Sequence, residues 1–293
     1  MKKVLVLFCL LAFSLATFAA EDYTRTEDVI YGRKFGTALT LDVFTPKQPN
    51  GYGIVHVVSG GWFSGHEAIQ MSLDFYQPFL DKGYTIFAVV HGSQPRFIIS
   101  EIIPDMNRAV RFVRYNAKKY GIDPDHIGVT GGSAGGHLSL VLGTMGGPGA
   151  ADAKDPIDRA SSAVQCVACF FPPTDFLNYG KPGADVLLKG VLDPFKPAFG
   201  PIPPETEARQ KFGRDISPFY HISSNTAPSL ILHGDKDTLV PMQQSEIFVA
   251  KAKEFGVPAK LIVKPGAGHG WVDWQVDAVK FVEWFDLYLR GKK

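Results

Sequence analysis

Ser133 stands in Gly131-Gly132-Ser133-Ala134-Gly135, between a β-rich run at 127–130 and a helix-compatible run at 137–142. A serine on a sharp strand-to-helix turn has the setting of a nucleophile. Small neighbours permit the strained turn, and the helix N-terminus beneath it favours developing negative charge. The plainer reading is a Gly-rich turn that contains a serine; the flanking strand and helix favour the nucleophile. The residue after it, Ala134, is expected to offer its backbone N–H to the oxyanion.

A hydroxyl needs a base to take its proton, and the base needs an orienting acid. Both residue types follow in the order Ser, Asp, His. The apolar run 230–232 leads through His233-Gly234 into Asp235-Lys236-Asp237, which offers two acids. The last strand-like run ends in Val263-Lys264-Pro265-Gly266-Ala267-Gly268-His269-Gly270, a Gly-rich loop carrying a histidine. Each lies just beyond the C-terminal end of a strand, where open α/β sheets build their sites.

Positioning these groups falls to a regular alternation of strands and helices. Runs at 29–31 and 39–44 alternate as half-buried strands do, and form an antiparallel hairpin at a sheet edge. Nearly continuous apolar runs at 53–58, 84–90, 164–171, 229–233 and 259–263, with the nucleophile strand, read as strands covered on both faces. Helical patterns occupy 68–82, 102–119, 243–255 and 274–289, the second placing Pro104 in its first turn. The fold class is α/β, a mostly parallel eight-stranded sheet with helices on both faces. The stretch 177–215, rich in Pro and Phe, is expected as a lid-like insertion over the site that carries the pocket walls.

The chain has 293 residues and a net charge of +1, with 45% hydrophobic and 20% charged residues. That is the composition of a soluble globular protein, without the basic stripe that nucleic acid requires. Lys2-Lys3, the apolar run 4–13 and Thr17-Phe18-Ala19 read as a secretory signal over 1–19. Residues 20–293 then form one α/β domain, secreted or periplasmic, with no stable membrane anchor. Cys166 and Cys169 lie on one strand about 10 Å apart, too far for a disulfide, and read as buried thiols. No His, Asp and Cys group has zinc-like spacing, so neither metal nor other cofactor is expected.

Over nearly all of its mature length the chain resembles the α/β-hydrolases. It is most similar to secreted bacterial carboxylesterases of the acetyl-xylan and feruloyl esterase group, and more distantly to hormone-sensitive-lipase-type esterases. The resemblance implies ester hydrolysis through an acyl-enzyme, on small or polysaccharide-linked esters. It makes Asp237, the last residue of His-Gly-x-x-Asp, the acid in preference to Asp235, and His269 the base. Related esterases carry His-Gly-Gly-Gly or His-Gly-Gly-x-Trp after the third strand. Here Val58 and Ser59 replace the leading His and Gly, while Gly60 and Gly61 remain as expected oxyanion donors beside Ala134; how the loop is braced without that histidine stays open. His233 and His137 read as structural, and His66 and His91 as pocket-lining. His56, His126 and His221 have no special context. Two rivals share the scaffold: a serine peptidase of the prolyl-oligopeptidase type, and a non-catalytic binding protein.

Overall fold

The computed structural model describes residues 22–291; the expected signal at 1–19 lies outside them. Eight strands form one sheet: β1 (Tyr23–Lys34), β2 (Thr37–Pro46), β3 (Gly53–Val58), β4 (Thr85–Val90), β5 (Ile127–Gly132), β6 (Cys166–Phe170), β7 (Ser229–Gly234) and β8 (Ala259–Lys264). Their order is β1-β2-β4-β3-β5-β6-β7-β8, with β2 antiparallel to both neighbours and every other pair parallel. This is the mostly parallel eight-stranded sheet the sequence predicts, with an antiparallel edge.

The helices are α1 (His66–Gln70), α2 (Leu73–Asp81), α3 (Ile99–Tyr115), α4 (Ala117–Tyr120), α5 (Ala134–Met145), α6 (Thr206–Ile216), α7 (Gln243–Glu254) and α8 (Ala278–Leu289). One face of the sheet buries Met106, Val110 and Val113 of α3, Leu138 and Val141 of α5, and Phe248 of α7. The other buries Phe75 and Phe79 of α2, and Phe281 and Phe285 of α8. Period-2 alternation sends Cys166 to the second face and Cys169 to the first, so both thiols are buried and free.

Three helical runs differ from the sequence pattern, of which 274–289 opens with a 3-10 turn (Trp274–Asp277) before α8. The pattern at 68–82 is broken at Met71-Ser72, where Ser72 Oγ donates to Ala68 O at 2.7 Å. A side chain bonded back to its own helix competes with the backbone ladder and turns the chain. The run expected over 102–119 begins at Ile99 and breaks at Asn116, between α3 and α4. Its start is set by the Glu101 carboxylate, which accepts from Ile98 N–H at 3.1 Å. Pro104 therefore falls in the second turn.

Within 177–215 lie a short 3-10 helix (Asp193–Phe199) and all but the last residue of α6. Val186, Leu187, Leu192, Ala198 and Phe199 join the main core beside Trp62 and Phe176. No helix among the described residues is long and apolar enough to cross a membrane.

Candidate active site

Ser133 closes β5 with φ 54° and ψ −118°, a strained backbone for a residue with a Cβ. The turn is fixed on both sides. Ser133 N–H donates to Phe170 O on β6 at 3.0 Å. A Cβ on Gly131 would sit 2.6 Å from Gly135 O, and one on Gly135 would sit 2.5 Å from Val57 O. Only glycine at both positions lets α5 approach β3 and β5 this closely.

His269 follows β8 on a loop closed by a Gly268–Gly270 bridge, with Gly266 and Gly270 at φ 74° and 97°. The Ser133 hydroxyl donates to His269 Nε2 across 2.8 Å, and His269 Nδ1–H donates to Asp237 Oδ2 across 2.7 Å. The imidazole packs on Phe171, ring centroids 4.5 Å apart.

Asp237 ends the turn after β7, its side chain fully buried. Oδ1 accepts from Leu239 N–H at 2.9 Å and Val240 N–H at 2.8 Å, and His233 Nε2 lies 3.2 Å from Oδ2. Burial opposes its charge. The hydrogen bonds from His233, His269 and Val240 N–H outweigh burial and hold the carboxyl well below the usual carboxylate range. The rival acid, Asp235, accepts from Gly266 N–H at 2.7 Å and so tethers the loop that carries His269.

The loop after β3 is a tight turn: Gly60 and Phe63 exchange two backbone hydrogen bonds, and Gly61 and Trp62 sit at φ 55° and 61°. Positive φ at both central residues makes this a type I′ turn. It corrects one expectation: Gly60 N–H is spent on Phe63 O at 2.9 Å and is not a free oxyanion donor. The N–H groups of Gly61 and Ala134 have no hydrogen-bond partner among the described residues.

The missing loop histidine is replaced from elsewhere. Ser59 Oγ donates to His91 Nε2 at 2.8 Å, and His91 Nδ1–H donates to Gly92 O at 2.8 Å. Gln94 Nε2 donates to Gly61 O at 2.7 Å. Trp62, 1% exposed, donates from Nε1 to His137 Nδ1 at 3.3 Å; His137 Nε2 donates to Ile216 O at 2.7 Å. Burial pushes His91 and His137 down to about 4, and their hydrogen bonds to the Gly92 and Ile216 carbonyls offset only part of this. Both are neutral braces at neutral pH. His91 thus sits behind the loop rather than in the cleft.

His66 also lies elsewhere, within reach of Thr40, Asp28 and Asp42. These carboxylates and the imidazole are the one cluster among the described residues with metal-like proximity. Asp42 there is already paired with Arg25 at 2.6 Å and accepts from Asp28 N–H at 3.0 Å.

Ser133 and His269 open onto a cleft of about 590 Å³. Its walls correct a second expectation. Of the insertion only Phe195 lines it; the remainder comes from strand ends, from Ala68, Met71, Ser72 and Phe75 of the α1–α2 region, and from Trp274. The insertion packs against the core instead of enclosing the cleft. His56 also lines it, a residue the sequence did not single out. The available signal was one polar residue inside the six-residue buried run of β3.

A model of the BD-FAE family matches residues 41–252. A probable carboxylic ester hydrolase, LipM, of Mycobacterium tuberculosis is 30% identical over 245 residues, covering 80% of this chain and 53% of that protein. An acetylxylan esterase of Xylanibacter ruminicola is 36% identical over 105 residues, 35% of this chain and 21% of that one. The chain spans about half the length of the first curated relatives it matches, 53% and 50%. Among solved structures, a truncated carbohydrate esterase from gut microbiota superposes with a TM-score of 0.76 at 28% identity, over 91% of this chain and 98% of that one. The family match takes in the Ser133 turn, the loop after β3 and the loop bearing Asp237, on the sheet order described above, and the chain belongs to the BD-FAE family of α/β-hydrolases.

Proposed function

We propose that this protein is a serine carboxylic-ester hydrolase, with Ser133 as nucleophile, His269 as base and Asp237 as orienting acid. The observation that carries the proposal is the unbroken hydrogen-bond relay from the Ser133 hydroxyl through His269 to Asp237. As Ser133 Oγ attacks the ester carbonyl, His269 Nε2 takes its proton, and the ionised Asp237 stabilises the imidazolium. Gly61 and Ala134 donate N–H groups to the tetrahedral oxyanion. His269 then protonates the departing alcohol. Water attacks the acyl-enzyme by the same route and returns Ser133.

The substrate reading is an acetyl or feruloyl ester of plant polysaccharide, met outside the cytoplasm. It is supported by the names of the acetylxylan esterase and carbohydrate esterase relatives and by the signal-like residues 1–19. Residues 20–293 are the hydrolase domain in this reading, with 177–215 as its insertion.

Ser133→Ala is the test. Turnover of a short-chain p-nitrophenyl ester is expected to vanish, together with labelling by a fluorophosphonate probe; a variant that keeps near-wild-type rates overturns the assignment. Peptide p-nitroanilides assayed alongside separate it from a peptidase.

A further inference from the structure

β3 is buried along its whole length, and His56 is its one ionisable side chain, 8% exposed on the inner wall of the cleft. Its Nδ1 is paired with Tyr76 OH at 2.7 Å, while Nε2 has no hydrogen-bond partner among the described residues. The cleft walls on the same face of the sheet as His56, its inner branch, are apolar: Val58, Ala68, Phe75, Phe170 and Trp274. Ser72 is there too, but its hydroxyl proton is committed to Ala68 O. Burial lowers the imidazole to about 3, so it meets a ligand uncharged.

Depth follows from the strand register. His56 pairs with Thr130, three residues before Ser133, which is about 10 Å along the sheet. Subtracting a hydrogen bond of about 3 Å leaves about 6–7 Å to be spanned from the reacting carbonyl. His56 is 8% exposed whereas Met71, at the cleft's edge, is 73% exposed, so a departing alcohol leaves past Met71 while the acyl group stays bonded to serine. The inner branch therefore belongs to the acyl side. An apolar acyl group of that length would cover Nε2 and strand a buried polar atom, which disfavours it. A hydroxyl both donates and accepts, so it pairs with either imidazole tautomer.

We propose that His56 is a specificity-determining residue, and that the preferred acyl group is uncharged, spans the inner branch and ends in a hydroxyl bonded to His56 Nε2. This rests on the ester-hydrolase reading above and deepens it.

The test compares p-nitrophenyl esters in isosteric pairs: 4-(hydroxymethyl)benzoyl against 4-ethylbenzoyl, and 6-hydroxyhexanoyl against heptanoyl. In the wild-type protein kcat/KM is expected to favour the hydroxyl member of at least one pair by about tenfold or more. In His56→Phe that ratio should fall to about one, and in His56→Gln, which keeps a polar atom, it should stay above one. A wild-type ratio near one in both pairs overturns the proposal, whether or not His56→Phe folds, and so does a ratio that survives in His56→Phe. Failure to turn over any ester, p-nitrophenyl acetate included, overturns the hydrolase reading itself and this inference with it.

Discussion

His91 Nε2 accepts the Ser59 hydroxyl proton across 2.8 Å, so the loop after β3 is held by an imidazole from the far end of β4. Where the resemblance implies a bracing histidine inside the loop, this chain has Val58 and Ser59, and the residue after β4 supplies the ring. Ser59→Ala removes the contact without adding bulk. The expected result is a kcat lower by about tenfold with KM little changed, because one hydrogen bond that fixes an oxyanion donor is lost. Ser59→Ala combined with His91→Gln should cost less than the sum of the two, as coupled partners do. Steady-state kinetics on a short-chain ester measures both.

Asp237 and Asp235 lie two residues apart with different partners, and that separates their effects. Asp237→Asn removes the charge facing His269 and should lower kcat by about 10³- to 10⁴-fold. Asp235→Asn keeps an oxygen for Gly266 N–H and should cost less than about tenfold. Equal losses from the two substitutions would contradict the assignment of Asp237 as the acid.

Three of the buried histidines predict acid sensitivity. His91 and His137 lie at about 4 and His56 at about 3, all below the ordinary imidazole value. Below about pH 6.5 the unfolded chain binds protons that these folded residues refuse. Stability present above that pH is then lost by about 1.4 kcal/mol per unit for each histidine, until pH reaches the folded value. Asp237, held low in the folded protein, adds a further loss only below about pH 4. Urea unfolding at several pH values between 7 and 4 checks this; a flat free energy across that interval would contradict it.

Gly135 offers a steric test. Its added Cβ would meet Val57 O at 2.5 Å, whereas one on Gly147 would meet nothing within 4 Å. Gly135→Ala should lose about 1–3 kcal/mol and most activity, because backbone must move at the nucleophile turn. Gly147→Ala should stay within about 0.5 kcal/mol of wild type. Thermal denaturation alongside ester turnover reads both effects.

Much of this architecture is legible in the sequence because buried strands advertise themselves as apolar runs and the nucleophile turn as paired glycines. What escapes is set by non-local contacts. Nothing local marks the break at Ser72, since the apolar periodicity continues across it and only the Ser72 Oγ bond to Ala68 O reveals the turn. Pro104 misleads as a start signal because the Glu101 cap outranks it. Gly60 looks like a free donor until Trp62 is seen at positive φ, which closes the turn onto Phe63. Phe195 is the one insertion residue in the cleft because its neighbours Ala198 and Phe199 are drawn into the core, a partition that composition alone does not encode.

The crossover from β3 to α2 carries Gly61 and, seven and ten residues later, Ala68 and Met71 of the cleft wall. In the proposed mechanism, rate and selectivity are thus written into one short piece of chain. Random mutagenesis of that piece will tend to retune both at once, so a library aimed at new acyl preferences is better seeded at Phe75 or Trp274, which touch the cleft from separate elements and leave the turn untouched.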